Sequence, residues 1–198
     1  MTDDPNRRDV LWAAGLAAGG FALPIREAFA QQGLPPTPEC RDGNEPTAAQ
    51  TEGPFYRPRS PQRADLREPG TTGRPVVLTG QVLTRACKPV PGALVDLWHA
   101  DDKGNYDNSG FRYRGHVFTD DAGRYQFRTI MPAQYPGRTR HYHVKVLDSG
   151  RQLLTTQLYF PNEPANQRDG LFRRELLMKV AESGDGVAAA FTFILDTR

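Results

Sequence analysis

The sequence predicts an all-β protein: an antiparallel β-sandwich with a long N-terminal arm, long loops and one short helix near the C-terminus. Seven short segments are rich in β-branched and aromatic residues, and several alternate polar with apolar side chains. They span residues 76–83, 93–98, 116–119, 124–129, 141–147, 153–160 and 190–196. Turn residues separate them, and 19 glycines and 17 prolines in 198 residues fit a fold with frequent turns.

The first 30 residues are typical of an export signal rather than of a folded element. Arg7 and Arg8 precede an uncharged stretch at 10–23, and an Ala-Phe-Ala sequence ending at residue 30 provides a cleavage site. The paired arginines resemble the twin-arginine class of signals. The stretch is short for a membrane span of about 20 apolar residues, although retention as an anchor is the alternative. We expect export to the periplasm or the exterior, with no stable membrane span after cleavage.

Residues 31–75 are rich in Pro, Gly, Thr and Arg and show little periodicity, which predicts an extended arm. Cys40 lies in this arm, and Cys87 follows the first predicted strand. In an oxidising compartment two cysteines form a disulfide more often than they stay free. Such a bridge would stabilise the fold by about 4 kcal/mol in the chain-entropy account. The alternative is two unrelated small core residues.

Residues 76–198 form the predicted sandwich domain. In the last predicted strand Phe191 and Phe193 flank Thr192, an alternation that predicts one buried face. A helix is predicted over 171–180, because the apolar residues there form one ragged face. They are Leu171, Leu176, Leu177 and Val180.

Composition excludes some classes of function. The formal net charge is +2, and there is no basic run with interleaved aromatic residues. Nucleic-acid binding is therefore unsupported. Serine is scarce and no Gly-x-Ser-x-Gly motif is present, which argues against a serine hydrolase.

The segment from Tyr135 to His143 concentrates candidate functional groups, with a phenol, a guanidinium and two imidazoles in nine positions. His141 and His143 are two residues apart, so they share one face of a β-strand. Imidazole is the commonest metal ligand in proteins, and the alternative is an ordinary polar strand face. With four histidines and two cysteines in the chain, a Cys/His zinc cluster is hard to build. Any remaining ligands should therefore be oxygen atoms.

Two further motifs accompany this segment. The stretch from Trp98 to Tyr106 leaves a strand and enters a polar loop, and Gln157 and Tyr159 lie at a strand end. Together these motifs resemble the intradiol ring-cleavage dioxygenases, the iron(III) catechol and protocatechuate dioxygenases. The resemblance covers about residues 51–160. It includes Thr51-Glu52-Gly53-Pro54-Phe55-Tyr56, Gly80-Gln81-Val82 and Pro91-Gly92-Ala93-Leu94-Val95-Asp96-Leu97-Trp98.

The resemblance implies a non-haem Fe(III) site. Its ligands would be two tyrosinates and two imidazoles: Tyr106, Tyr135, His141 and His143. Phenolate is a hard anionic donor that suits a trivalent ion. Tyr113 lies in the same polar loop as Tyr106 and is its rival as the first phenolate.

The resemblance also implies the reaction. A catechol-type diol would chelate the iron and displace Tyr135, and O2 would cleave the ring to a cis,cis-muconate-type diacid. Arg138 would stabilise developing negative charge, and Gln157 would orient the substrate. Tyr56 and Tyr159 would line the pocket, with core packing as their alternative role.

The main alternative is non-catalytic. Gly80-x-Val82 and the Pro-Gly-Ala-x-Val run at 91–95 also occur in transthyretin-like and carboxypeptidase-regulatory-like sandwiches, which act as exported binding modules. Such a module would not need the two tyrosines and two histidines together. The oligomeric state is left open, with a homo-oligomer as one option.

Overall fold

The structure is a computed structural model that describes Cys40 and residues 45–197. The predicted export signal at residues 1–30 lies outside the described residues, so export stays a prediction. Within the described part of the chain, no helix is long and apolar enough to cross a membrane.

Eight strands form a sandwich of two four-stranded sheets, as the sequence predicts for an all-β fold. They are β1 (Pro75–Thr84), β2 (Leu94–Trp98), β3 (Arg114–Phe118), β4 (Arg124–Ile130), β5 (His141–Asp148), β6 (Arg151–Tyr159), β7 (Lys179–Ser183) and β8 (Gly186–Leu195). The first sheet has the order β4-β1-β8-β7, and the second has the order β3-β2-β5-β6.

The core lies between the two sheets, because each contributes one apolar face. Tyr142 and Val144 of β5 point inward and meet residues such as Phe127 and Phe193 of the first sheet. Burying one such side chain fully is worth about 1.5–3 kcal/mol. His143 lies between the two inward residues of β5, so its side chain leaves the opposite, outer face of the second sheet.

The described part of the arm covers this outer face. Residues 45–74 contain no helix or strand, but their backbone is hydrogen-bonded to the sandwich at several points. The Thr47 N–H donates to Ile194 of β8, and the Gln50 N–H donates to Thr155 of β6, both at 2.8 Å. Cys40 and Cys87 are joined by a disulfide that ties the arm to the turn after β1. Farther along the arm, the Thr51 carbonyl accepts from Gln157 Nε2 at 3.0 Å and Tyr56 packs on Trp98, so the arm lies over the outer face.

The prediction of a helix over residues 171–180 is wrong. Only a 3-10 turn, Arg174–Leu176, forms there, and Leu177 is already extended. The Met178 N–H donates to the Tyr159 carbonyl, and β7 begins at Lys179. Pairing with the sheets satisfies more backbone groups than a short helix with a ragged apolar face could.

The sandwich is antiparallel as predicted, except for one strand pair. β1 and β8 pair in parallel, from Val76 opposite Val187 to Thr84 opposite Leu195. The other strand pairs are antiparallel. β8 lies between β1 and β7, parallel to the first and antiparallel to the second.

Candidate metal centre and catalytic site

Three polar atoms converge on the outer face of the second sheet. Tyr106 Oη lies 3.3 Å from His141 Nε2 and 3.1 Å from His143 Nε2, and the two Nε2 atoms are 3.1 Å apart. Both histidines are about 3–4 % exposed. The cluster thus brings Tyr106 together with two histidines that lie 35 and 37 positions farther along the chain.

Strand register explains this convergence. On the outer face Trp98, His143 and Gln157 stand in one row across β2, β5 and β6, and His141 stands opposite Tyr159. The Trp98 ring stacks on the His143 ring with centroids 5.0 Å apart and planes 9° apart. Directly opposed side chains on paired strands lie close together, so the register alone assembles half of the site.

The histidines are held in the neutral form that binds metals. The Nδ1–H of His141 faces the Thr139 carbonyl at 2.6 Å, so the Nε2 lone pair points to the cluster. Burial lowers the pKa of His141 to about 4, with a smaller contribution from the Arg138 guanidinium. Burial also lowers the pKa of His143 well below its usual value. Neutral imidazole is the ligating state.

The loop that carries Tyr106 is tightly organised. Asp101 Oδ1 accepts the N–H groups of Lys103 and Asn105, and the Ala133 N–H donates to the Asp101 carbonyl. At Gly104, with φ of 85°, an added Cβ would lie 2.4 Å from the Gln134 carbonyl oxygen. The loop therefore packs directly against the segment that precedes Tyr135.

A buried arginine links this loop to the arm. The Arg114 guanidinium donates to the Asp107 carbonyl at 2.9 Å and to the Phe55 carbonyl at 2.6 Å. Phe55 stacks on the Tyr106 ring, with centroids 4.4 Å apart. Burial raises the pKa of Tyr106, and the Arg138 and Arg114 guanidinium groups oppose this rise without cancelling it. A phenolate at Tyr106 therefore requires a bound cation.

Tyr135 opens a tight turn. The Arg138 N–H donates to the Tyr135 carbonyl at 2.8 Å, with Pro136 second and Gly137 third in the turn. Gly137 has φ of 77°, as the third position of a type II turn requires. The Tyr135 ring meets the edges of Tyr106 (6.1 Å between centroids) and Phe55 (5.5 Å). The turn thus brings Tyr135 beside the three-atom cluster through ring contacts.

Arg138 and Gln157 lie next to each other. Arg138 Nη2 donates to Gln157 Oε1, and Gln157 Nε2 donates to the Thr51 carbonyl at 3.0 Å. The Tyr159 hydroxyl, which is fully buried, lies 3.2 Å from Gln157 Oε1 and 2.8 Å from Gln50 Oε1. Both ends of the Gln157 amide are engaged, so it positions Arg138 in this structure.

Other predicted candidates lie outside the cluster. Tyr56 packs on Trp98 (4.8 Å) and points its hydroxyl at Asp96 (3.4 Å), so its contact with the cluster runs through Trp98. Tyr113, the rival of Tyr106, is buried and stacks on His99 at 5.1 Å. The structure places Tyr106, not Tyr113, against the two histidines.

Sequence reasoning missed two residues at the site. Phe55 lies in the arm segment that carries part of the family resemblance, and its signal was the Gly-Pro-Phe-Tyr run. Asp169 binds Arg138 across 31 residues of chain, at 3.0 and 2.9 Å. No local pattern around Asp169 distinguishes it from a solvated loop carboxylate.

His99 provides a pH-dependent stability prediction. It is buried, with Nε2 2.6 Å from Thr129 Oγ1, and burial lowers its pKa from 6.5 to about 4. The unfolded chain binds a proton at His99 at a higher pH than the folded protein does, so stability is lost as pH falls from 6.5 towards 4. The contribution of His99 to this loss is about 3 kcal/mol. Urea unfolding of the metal-free protein between pH 7 and 4 should show this loss. His99→Gln should give a shallower fall, and equal pH slopes for the two proteins would contradict the assignment.

The three-atom cluster fits one small cation. Metal–nitrogen bonds are about 2.0–2.1 Å, so two ligands at right angles lie about 3 Å apart, close to the spacing found here. Within the described part of the chain, no group of three or more His, Cys, Asp or Glu side chains could hold a metal. A metal held by the three-atom cluster would have Tyr106 as its oxygen ligand, and phenolate is a hard donor that suits a trivalent ion.

Comparison with known proteins agrees with this geometry. Residues 51–197 match the sequence profile of a family described as Dioxygenase. The chain belongs to the intradiol ring-cleavage dioxygenases. Its sandwich fold is shared with a member of the family whose structure has been solved.

Three relatives give the scale of the similarity. The dioxygenase domain of a dioxygenase–carbohydrate-binding fusion from Streptomyces sp. SirexAA-E is 51% identical, with a TM-score of 0.75, over 78% of this chain and all of that one. The 3-chlorocatechol 1,2-dioxygenase of Rhodococcus opacus is 26% identical, with a TM-score of 0.70, and the match covers 77% of this chain and 73% of that enzyme. Catechol 1,2-dioxygenase 1 of Acinetobacter lwoffii is 33% identical over 61% of this chain and 47% of its own. The chain spans about half the length of the curated relatives it matches.

Proposed function

We propose that this protein cleaves a catechol-type aromatic diol between its two hydroxylated carbons with O2, in a reaction that depends on non-haem Fe(III). The product would be a cis,cis-muconate-type diacid. The observation that carries the proposal is the convergence of Tyr106 Oη with the Nε2 atoms of His141 and His143. The family membership and the names of its catechol-cleaving relatives support the same reaction.

Tyr106, Tyr135, His141 and His143 would hold the iron. Bound Fe(III) would supply Lewis acidity and draw electron density from a chelated diol, which makes the ring reactive towards O2. Tyr135 lies on the Pro136-Gly137 turn, so its side chain can move without disturbing β5. We assign to its Oη the acceptance of a substrate hydroxyl proton.

Arg138 supplies a fixed positive charge beside the cluster. Its guanidinium is held by Asp169 on one side and Gln157 on the other, so it cannot swing into solvent. A fixed cation stabilises negative charge that develops during reaction without reorganisation. Phe55 and Trp98 cover the cluster with apolar rings, which excludes water from the reacting groups.

A spectroscopic and isotopic experiment tests the proposal. The purified protein is reconstituted with iron, and its metal content and visible spectrum are measured. We expect tyrosinate-to-Fe(III) charge-transfer absorption, a shift on anaerobic addition of catechol, and then, with labelled O2, a diacid carrying both labelled oxygen atoms. A protein that stays colourless and iron-free after reconstitution would refute the enzyme and leave the exported binding module as the better account.

A further inference from the structure

We propose that Asp169 is a positioning residue for Arg138 in addition to Gln157, a role that rests on the proposed function. Both carboxylate oxygens of Asp169 accept from Arg138 Nε, at 3.0 and 2.9 Å. The Asp169 side chain is 1% exposed and that of Arg138 is 17% exposed. Water screens such a pair far less than it screens a surface ion pair, so the pair can fix the guanidinium in one orientation.

The Asp169 carboxylate is itself fixed by backbone donors. The Thr139 N–H donates to Oδ2 and the Leu171 N–H donates to Oδ1, both at 2.9 Å. Burial alone would raise the pKa of Asp169, but these two N–H groups and the Arg138 guanidinium outweigh it and lower the pKa. The carboxylate is therefore ionised at neutral pH and already aligned when it meets Arg138.

The segment that carries Asp169 is docked on the turn that carries Arg138. Thr139 Oγ1 donates to Asn166 Oδ1 at 2.7 Å, and Asn166 Nδ2 donates to the Phe160 carbonyl at 2.9 Å. This connects the end of β6 to the start of β5 beside the metal-binding histidines. Asp169 thus holds its place through the fold and not through Arg138 alone.

The contacts of Arg138 fix the orientation of its guanidinium group through two of its three nitrogen atoms. Nε faces Asp169, while Nη2 faces Gln157 Oε1 and, at 3.5 Å, the Tyr159 hydroxyl. None of the contacts described for Arg138 involves Nη1, and we assign this donor to the substrate. Without Asp169 the guanidinium keeps its charge but loses the bond that sets its plane, so the loss should fall on the chemical step more than on substrate binding.

The test combines a signal from metal-free protein with kinetics of iron-loaded protein. In metal-free, 15N-labelled protein, Arg138→Gln identifies the Arg138 Nε–H resonance. Asp169→Asn should shift this resonance and speed its exchange with water. In iron-loaded enzyme, Asp169→Asn should lower kcat for catechol by about 10- to 100-fold, with KM little changed and with iron content and colour retained. Adding Asp169→Asn to Arg138→Gln should cost nothing further.

The Arg140–Glu163 ion pair, 3.0 Å long and also partly buried, gives a matched control. Glu163→Gln should leave the Arg138 resonance and kcat near those of the unmodified protein. If Asp169→Asn does not fold, Asp169→Glu replaces it, because it keeps the charge and should show a smaller loss of kcat in the same direction. An unshifted Arg138 resonance, or kinetic losses that multiply in the double variant, would overturn the positioning role. If the unmodified protein does not cleave catechol, the proposed function fails, while the resonance still decides the role of Asp169.

Discussion

Replacing Tyr106 by Phe is expected to remove most of the iron and nearly all of the visible colour. Tyr106 Oη lies 3.3 and 3.1 Å from the two imidazole nitrogens, so it is the oxygen donor of the three-atom cluster. Loss of a direct ligand should exceed the effect of losing an outer hydrogen-bond partner, which is about 10- to 100-fold in metal affinity. Iron titration with visible absorption measures both losses, and circular dichroism checks the fold.

Tyr113→Phe is the matched control for Tyr106→Phe. Both tyrosines lie in the loop between β2 and β3, but Tyr113 is buried against His99, and its hydroxyl accepts from Arg112 at 3.2 Å. Its variant should therefore keep iron and colour. If Tyr113→Phe loses the colour and Tyr106→Phe keeps it, the assignment of the first tyrosinate is wrong.

Gly80→Ala is expected to be among the most destabilising single substitutions in the sandwich. Gly80 lies in β1 between β4 and β8, opposite Tyr125 on one side and Phe191 on the other. An added Cβ would lie 1.7 Å from the Phe191 carbonyl oxygen and 2.7 Å from Tyr125 Oη, which donates to that same oxygen at 2.8 Å. Overpacking and the loss of this buried hydrogen bond should together cost at least about 3 kcal/mol.

Thermal unfolding checks this expectation. A loss of this size should lower Tm by roughly 10 °C in a chain of this length. Gly170→Ala is the control, since a Cβ at Gly170 meets nothing within 4 Å and its φ is not in the left-handed region. It should change stability by no more than about 0.5 kcal/mol. Equal Tm values for the two variants would contradict the packing described for Gly80.

Much of the sandwich could be predicted from short-range pattern. Alternation in segments such as 190–196 reports which face of a strand is buried, and this signal is local to each strand. The prediction of a helix at 171–180 was wrong because contacts with the sheets determine the conformation of this segment. Leu176 is buried in the core, and the Met178 N–H donates to Tyr159 of β6. The parallel pairing of β1 with β8 was not predicted, because it depends on contacts between the two ends of the domain.

The candidate site divides in the same way. The spacing of His141 and His143 predicts that they share one face of a strand. The Gly-Pro-Phe-Tyr run marks the segment that carries Phe55, but it does not identify Tyr106 as the partner of Phe55, and no local pattern marks Asp169 as the partner of Arg138. Their contacts form only when the arm and the loop after β6 close over the outer face.

The sequence by itself determined an all-β chain with a histidine pair on one strand face and a tyrosine and an arginine just before it. These features follow from alternation and turn chemistry, which act over a few residues. Only the tertiary structure decided that Tyr106 completes the cluster, that Tyr113 does not, and that Asp169 holds Arg138. Strand register and loop docking bring together side chains more than 30 positions apart, and the physical cause is the burial of both sheets and the pairing of their backbone groups.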